Sequence, residues 1–417
     1  MAKKVLISFL GTGSFDQKEK RTYKTANYHL GSTELGDYPF VAAALKKHYD
    51  IDKVILVGTV HSMWEEVYKW FCEENGQEID MDVWTTIGDA CENASSKTEL
   101  AIPHQDKIEQ AIGHDAKVVL IKYGISESEI KENIDIILGI QQYLDQNDEL
   151  IVDVTHSFRS LPMFIMNLLI YLKNVCPKNI TISHIHYGML EMAQELGYAP
   201  IIELGSIMEV NEWITGAYSF SEFGNAYKIS QLVESQDKSV SNLLKEFSDL
   251  MNLNHLHAIQ NISQRLAGIR NKDYQTLLPK LTINPIVESF VRNFSSNDAR
   301  QSVFQLKVAR WQLEHCKYAQ AMLTITEAII TYVCEKNNLE WDGYENREGV
   351  KKALTNPWSD EAKMLNFDKE LSCRFKELNK IRNSTAHSLE SSKNVEKMLR
   401  VLNENVKQLE KVIQRSH

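Results

Sequence analysis

Cysteine is scarce and scattered in this chain. The six cysteines, at positions 72, 91, 176, 316, 334 and 373, form no C-x-x-C pair and no ligand-like cluster. That pattern suits a reducing cytosol, where thiols act as small apolar side chains. Long hydrophobic runs are missing too: none approaches the roughly 18–20 residues needed to span a bilayer. Met1-Ala-Lys-Lys4 runs directly into a strand-like segment, which leaves no room for a signal peptide. A cytoplasmic protein without membrane contact is expected. There is no excess of positive charge. Lys and Arg number 46 against 56 Asp and Glu, a net charge of −10. This argues against a general DNA-coating protein while leaving room for a local basic groove. No low-complexity tract and no repeat at solenoid spacing is found.

What is present is an ordinary globular composition, 43% hydrophobic and 24% charged over 417 residues. That is enough for two or three domains. The first 200 residues alternate between short β-rich runs and helical patterns. The runs are Val5–Leu10, Val54–Val57, Val118–Ile121, Leu150–Val154 and Ile180–Ile185. Their unbroken apolar character predicts strands buried on both faces of a parallel sheet, a doubly wound α/β domain. Arg21–Leu30 reads as a small inserted hairpin, and Ser126-Glu-Ser-Glu129 as a capping box. After about residue 205 strand signals vanish. Residues 302–336 read as two helices divided near Glu314–Lys317, Asn337–Pro357 as loop, and Val395–Ile413 as a terminal helix. The expected division is 1–205 α/β, 206–290 helical connector and 291–417 helical bundle.

Ligands of open parallel sheets bind beyond the strand C-termini. Here those loops are small, polar or glycine-rich: Gly11-Thr12-Gly13-Ser14, Gly58-Thr59 through Ser62 and Trp64, Tyr123-Gly124, Thr155-His156-Ser157-Phe158-Arg159, and His186-Tyr187-Gly188. Glycines let a ligand approach the backbone, helix N-termini offer free N–H groups to phosphate, and Trp64 or Phe158 would stack on a base. Gly11-Thr-Gly13 lacks the third glycine of G-x-G-x-x-G, since position 16 is Asp, and no G-x-x-x-x-G-K-[ST] loop exists. A nicotinamide enzyme is disfavoured; a phosphate-rich nucleotide fits better. The His184/His186 and His255/His257 pairs have no third ligand evident in sequence, so both are read as structural and no metal is expected.

Near the C-terminus stands Arg382-Asn383-Ser384-Thr385-Ala386-His387, at the end of a helical run whose Leu371, Phe375, Leu378 and Ile381 define a buried face. A guanidinium holds phosphate bidentately and an imidazole moves a proton, so Arg382 and His387 form a minimal phosphoryl-transfer set. Alone, the pattern fits solvated helix surface better than an active site. A five-residue step also leaves the side chains roughly 140° apart on an ideal helix, so one chain does not easily place both on one phosphate.

Together the two halves resemble a known family. FLGTGSF, YPFVAAAL, VGTVHSMW and DVTHSFRSLPM resemble the ligand-binding motifs of CARF domains, the CRISPR-associated Rossmann-like fold. RWQLEHCKYAQAMLTITEAIITYVCE followed by KIRNSTAH resembles a HEPN domain with its R-x(4–6)-H ribonuclease signature, and EWITGAYSFSEFGNA resembles the linker helix of such proteins.

The resemblance implies an auxiliary effector of type III CRISPR antiviral defence. Its paired CARF domains would bind a cyclic oligoadenylate, with cyclic tetra-adenylate favoured, as allosteric activator. The paired HEPN domains would cut single-stranded RNA without metal, giving 2′,3′-cyclic phosphate ends. Arg382 and His387 match the signature, and Asn383 the polar residue beside the Arg. Gly11, Thr12, Gly58, Thr59, His156, Ser157 and Arg159 match ligand-loop positions. The partners implied are the activator, the RNA and a second copy of the chain. Two other readings stay open: a non-catalytic sensor, and an α/β domain that also cleaves its activator.

Overall fold

The computed structural model describes residues 2–15, 21–156, 161–294, 299–387 and 395–414. The chain divides into two compact units, Met1–Glu209 and Val210–His417.

The first unit runs β1 (Lys4–Leu10), β2 (Ser14–Phe15), β3 (Arg21–Thr22), β4 (Ala26–Leu30), β5 (Thr33–Tyr38), α1 (Val41–Tyr49), β6 (Lys53–Gly58), α2 (Trp64–Glu74), α3 (Met81–Glu92), α4 (Gln105–Ile112), β7 (Lys117–Leu120), α5 (Glu127–Gly139), β8 (Glu149–Asp153), α6 (Leu161–Asn174), β9 (Thr181–Gly188), α7 (Ala193–Leu196) and β10 (Ala199–Glu203). Eight strands form one sheet in the order β5-β4-β10-β9-β8-β1-β6-β7. The expected Rossmann-like architecture is present. Apolar residues alternate between its faces: Val5, Ile7 and Val152 pack below α6 residues such as Leu168, while Leu6, Val54 and Leu56 join Trp64, Phe71 and Ile108. This is why the strands read as continuous apolar runs.

The sheet is not parallel throughout. β9, β8, β1, β6 and β7 are parallel, but β10 pairs antiparallel with β9, and β4 antiparallel with β5. The segment joining β9 to β10 turns back through the short α7 and Gly197 without a long crossover helix, so the next strand must run the other way. The inserted segment also differs from expectation. Arg21–Thr22 pairs with Ser14–Phe15, whereas Ala26–Leu30 pairs with Thr33–Tyr38. Only half of the capping box forms. The Ser126 hydroxyl accepts the Glu129 amide at 3.3 Å, but the Glu129 carboxylate takes the amides of Gly124 and Ile125. It thereby fixes the loop after β7.

α8 (Ser206–Phe223) leads into the second unit. There follow α9 (Tyr227–Val233), α10 (Lys238–Leu253), α11 (Leu256–Ala267), α12 (Leu277–Phe294), α13 (Gln301–Glu314), α14 (Tyr318–Lys336), α15 (Tyr344–Thr355), α16 (Asp360–Met364), α17 (Lys369–His387) and α18 (Val395–Gln414). No strand occurs among its described residues. The stretch read as loop is largely α15, which buries Val350, Ala353 and Leu354. Asp342-Gly343 completes a turn closed by the Gly343 amide on Glu340 O at 3.3 Å and leads into the N-terminus of α15, and the many charged residues of α15 hid its short apolar face. One core gathers Trp213, Phe220, Phe247, Phe290 and Trp311; a second gathers Ile325, Ile329, Val333, Leu371, Phe375, Leu378, Leu402 and Leu409. Glu335 of α14 accepts the amides of Gln301 and Ser302 at 2.6 and 3.2 Å, capping α13 from another helix. No described helix is long and apolar enough to cross a membrane.

Candidate functional site

β1 lies where the chain reverses its progress across the sheet: β6 and β7 extend one way from it, β8 and β9 the other. A crevice opens at the C-terminal ends of strands flanking such a switch point. Here it is a cavity of about 350 Å³ lined by Gly11, Thr12 and Gly13 after β1, Gly58, Thr59 and Ser62 after β6, and Thr155 and His156 after β8. Tyr23, Lys24, Ile121, Leu161 and Leu190 complete the wall. Three of the five loops singled out in sequence therefore meet in one place, whereas Tyr123-Gly124 and His186-Tyr187-Gly188 are not among the lining residues. Ser157, Phe158, Arg159 and Ser160 lie outside the described residues, as do the side chains of Ser14 and His387.

The β6 loop is a scaffold more than a contact surface. Thr59 and Ser62 are buried, and the Ser62 hydroxyl donates to Leu10 O at 2.8 Å while accepting the Thr59 amide at 3.1 Å. This stitches the loop after β6 to the end of β1. Trp64 departs from expectation. It is fully buried, and its indole N–H donates to Thr59 O at 2.8 Å. It packs beneath the loop and is not available to stack on a base. A Cβ on Gly58 would fall 2.8 Å from both Ser62 Oγ and the Trp64 ring; the glycine is there because the loop folds back onto it.

Beneath the β8 loop Asp153 is fully buried. It accepts from the Ser8 hydroxyl, and from the Thr155 amide at 2.9 Å and the Thr155 hydroxyl. The Thr155 hydroxyl in turn accepts the Gly188 amide at 2.7 Å. Asp153 thus orders the strand-end loops through hydrogen bonds rather than facing a ligand. His156 is half-buried, and its Nε2 is shielded from solvent without a hydrogen-bond partner. Burial pushes its pKa below the ordinary value, with the nearby Asp153 opposing. Its ring leans on Tyr23 at 5.7 Å, and the Tyr23 hydroxyl donates to Gly11 O at 2.9 Å. Sequence reasoning assigned Tyr23 to the hairpin and passed over Lys24. Nothing in the linear order signals that the segment after β3 returns to the mouth of the cavity. Lys24 is exposed and is the lysine or arginine among the described lining residues.

In the second unit α17 carries Arg382 and Asn383, both exposed, and its helical backbone continues to His387. Its buried face is the expected one: Leu371, Phe375 and Leu378 are buried and Ile381 packs beside them. The helical backbone runs unbroken through the motif, so positions 382 and 387 are about 140° apart around an ideal helix axis. Lys376 and Lys380 are exposed on the same helix, whereas Arg374 is engaged by Glu370 one turn earlier at 3.0 Å. Glu327 of α14 is paired with Arg347 of α15, which also donates to Trp341 O at 2.6 Å. It is a structural carboxylate.

A cluster that sequence reasoning dismissed takes shape on β9 and β10. His184 and His186 share one strand face, as read, but β10 brings Glu203 against them, and His184 Nδ1, His186 Nδ1 and Glu203 Oε2 lie close together. The missing third group was invisible because antiparallel pairing of β10, itself unread, supplies it.

Residues 5–191 match the family described as CRISPR system endoribonuclease Csx1, CARF domain, and residues 209–299 match CRISPR-associated protein MJ1674, second domain. The chain is 35% identical over 405 residues to CRISPR-associated protein MJ1674 of Methanocaldococcus jannaschii; the match covers 94% of this chain and 63% of that protein. The chain thus spans less than two thirds of its relative's length. Among solved structures, Enterococcus italicus Csm6 bound to cyclic hexa-2′-fluoro-hexa-dAMP aligns over 99% of this chain and 94% of its own, at 13% identity and a TM-score of 0.40. The first unit is therefore a Rossmann-like domain similar to the CARF domain of a CRISPR endoribonuclease, in a chain similar over nearly its whole length to a CRISPR-associated protein.

Proposed function

We propose that this chain is a nucleotide-gated endoribonuclease of CRISPR defence. Its α/β domain binds a cyclic oligoadenylate, and its C-terminal helical domain, of HEPN type, cuts single-stranded RNA. The observation that carries the first half is the convergence of three strand-end loops on one cavity within the segment matching the Csx1 CARF domain. Glycine edges and Lys24 suit phosphodiesters, and His156 offers a ring nitrogen to a base or phosphate. The cavity lies near the lower end of the size range for ligand sites, about 300–1,000 Å³. A ring of four nucleotides exceeds it, so two copies of the chain would share one ring about a two-fold axis.

The second half rests on α17. Arg382 would stabilise negative charge on the phosphorane-like transition state, His387 would move the 2′-hydroxyl or 5′-oxygen proton, and Asn383 would orient the phosphate. RNA supplies the nucleophile. Because the helix is continuous, pairing with a second α17 is the economical way to complete the site. α8 supports such pairing: Val210, Ile214 and Tyr218, at four-residue spacing, are exposed apolar side chains on one helix face. Ligand gating requires only that the ring bind the active dimer better than the resting one.

The test is RNA cleavage by the purified full chain with and without cyclic oligoadenylates of several ring sizes. Cleavage that depends on one ring size supports the reading. Ring binding with no cleavage at any ratio would make the protein a sensor without catalysis. Loss of the added ring, recovered as linear product, would show that the α/β domain degrades its own activator.

A further inference from the structure

On the neighbouring strands β9 and β10 of the first unit, three potential metal ligands face one another. His184 Nδ1 stands 2.9 Å and His186 Nδ1 3.6 Å from Glu203 Oε2, and all three atoms lie within 4.8 Å of one another. A tetrahedral zinc with bonds of 2.0–2.1 Å separates its ligand atoms by about 3.3 Å. The observed distances bracket that value.

The surrounding groups fix these atoms as ligands are fixed in metal centres. Glu203 Oε1 is held by the amides of Ile185 at 3.0 Å and Gly205 at 2.9 Å, which leaves Oε2 turned toward the imidazoles. His186 Nε2 meets the Tyr49 hydroxyl at 2.8 Å. This fixes the ring and assigns its proton to Nε2 when Nδ1 binds a cation. The Tyr49, His184 and His186 rings stack, with centroids 4.9–5.6 Å apart. His186 is 1% exposed, yet its Nδ1 has no hydrogen-bond partner. A buried, unsatisfied ring nitrogen is costly unless something fills its lone pair.

We propose that His184, His186 and Glu203 bind one divalent first-row transition metal, zinc being the best fit, with the fourth position open to water. Both imidazoles bind through Nδ1 and the carboxylate through Oε2. The half-exposed His184 and Glu203 give the ion its entry path. The ion would join β9 to β10 two residues before Gly188, whose amide holds Thr155 at the floor of the nucleotide cavity. It is thus placed to stiffen the β9–β10 pair within the sheet, and the inference stands whether or not the chain cuts RNA.

The experiment uses the untagged full chain, stripped with chelator and titrated with cobalt(II) and then zinc. The wild type should bind one cobalt with visible d–d absorption, lose the bands as zinc displaces it, and melt higher with zinc. Glu203→Gln and His184→Ala, both changes at half-exposed positions, should abolish the bands. Tyr49→Phe should weaken binding by about 10–100-fold. No stoichiometric cobalt or zinc in the wild type, or unchanged binding in both Glu203→Gln and His184→Ala, overturns the proposal and leaves an ordinary histidine–carboxylate pair.

Discussion

The Thr155 hydroxyl accepts the Gly188 amide at 2.7 Å and donates to Asp153, so one side chain ties the ends of β8 and β9 to a buried carboxylate. A Cβ on Gly188 would lie 3.2 Å from that hydroxyl and 2.6 Å from Val41. The strand ends forming the cavity floor are therefore positioned by hydrogen bonds at van der Waals limits. Thr155→Val keeps the shape and removes the hydroxyl. It should destabilise the first unit by about 1–3 kcal/mol, the cost of an orphaned amide, and weaken nucleotide binding. Thr155→Ser should recover most of both. Urea unfolding and ligand titration on the same samples check this; a valine variant as stable as wild type would mean the bridge does not hold the floor.

Gly58→Ala should destabilise by about 1–3 kcal/mol, the range for overpacking a tight site. The added methyl meets Ser62 and the buried Trp64. If Ser62→Ala, combined with it, restores part of the loss, the clash is confirmed as local. A neutral Gly58→Ala would show that the loop after β6 relaxes more freely than its hydrogen bonds suggest.

His156 gives a pH signature. Its folded pKa is lowered, chiefly by burial, so folding favours the neutral ring. The stability this contributes is fully present above the unfolded value near 6.5 and is lost as pH falls toward the folded value, at up to about 1.4 kcal/mol per unit. Wild type minus His156→Gln stability should decline between about pH 7 and pH 5. A bound phosphodiester opposes the burial, so binding should take up a proton and tighten as pH falls over the same window. A pH-independent difference between the two proteins would contradict the shielded position of this ring.

Arg382→Ala and His387→Ala should each lower ligand-stimulated RNA cleavage by at least about 100-fold, the usual scale for losing a charge-stabilising or proton-transfer group. Nucleotide affinity should not change. Cleavage should survive chelator, with products ending in 2′,3′-cyclic phosphate. Wild-type rates in both variants would displace the nuclease site from α17.

A homodimer should be the active species. Sedimentation should show dimers at assay concentration. Ile214→Glu on the exposed face of α8 should weaken them and cut activity in parallel, since a charge would enter an apolar contact. An active monomer would remove the argument that two copies complete each site.

The sequence by itself determined the central parallel strands. Runs such as Val5–Leu10 and Leu150–Val154 carry apolar residues on both faces, and only a sheet covered on both sides buries them. The buried face of α17 and the division of α13 from α14 were legible too, because helical periodicity is a local property. The glycine and threonine loops were legible as candidates, since their chemistry does not depend on partners. Tertiary structure alone decided what each loop residue does. Trp64 reads as an exposed aromatic in a polar loop, yet the turn at Thr59–Ser62 folds it beneath. Lys24 and Tyr23 reach the cavity because β4 joins a distant edge of the sheet. Glu203 meets His184 and His186 only because β10 pairs antiparallel with β9. Periodicity states which face a residue occupies. Which other segment lies across from that face is set by pairing over long sequence separations, and no local pattern encodes it.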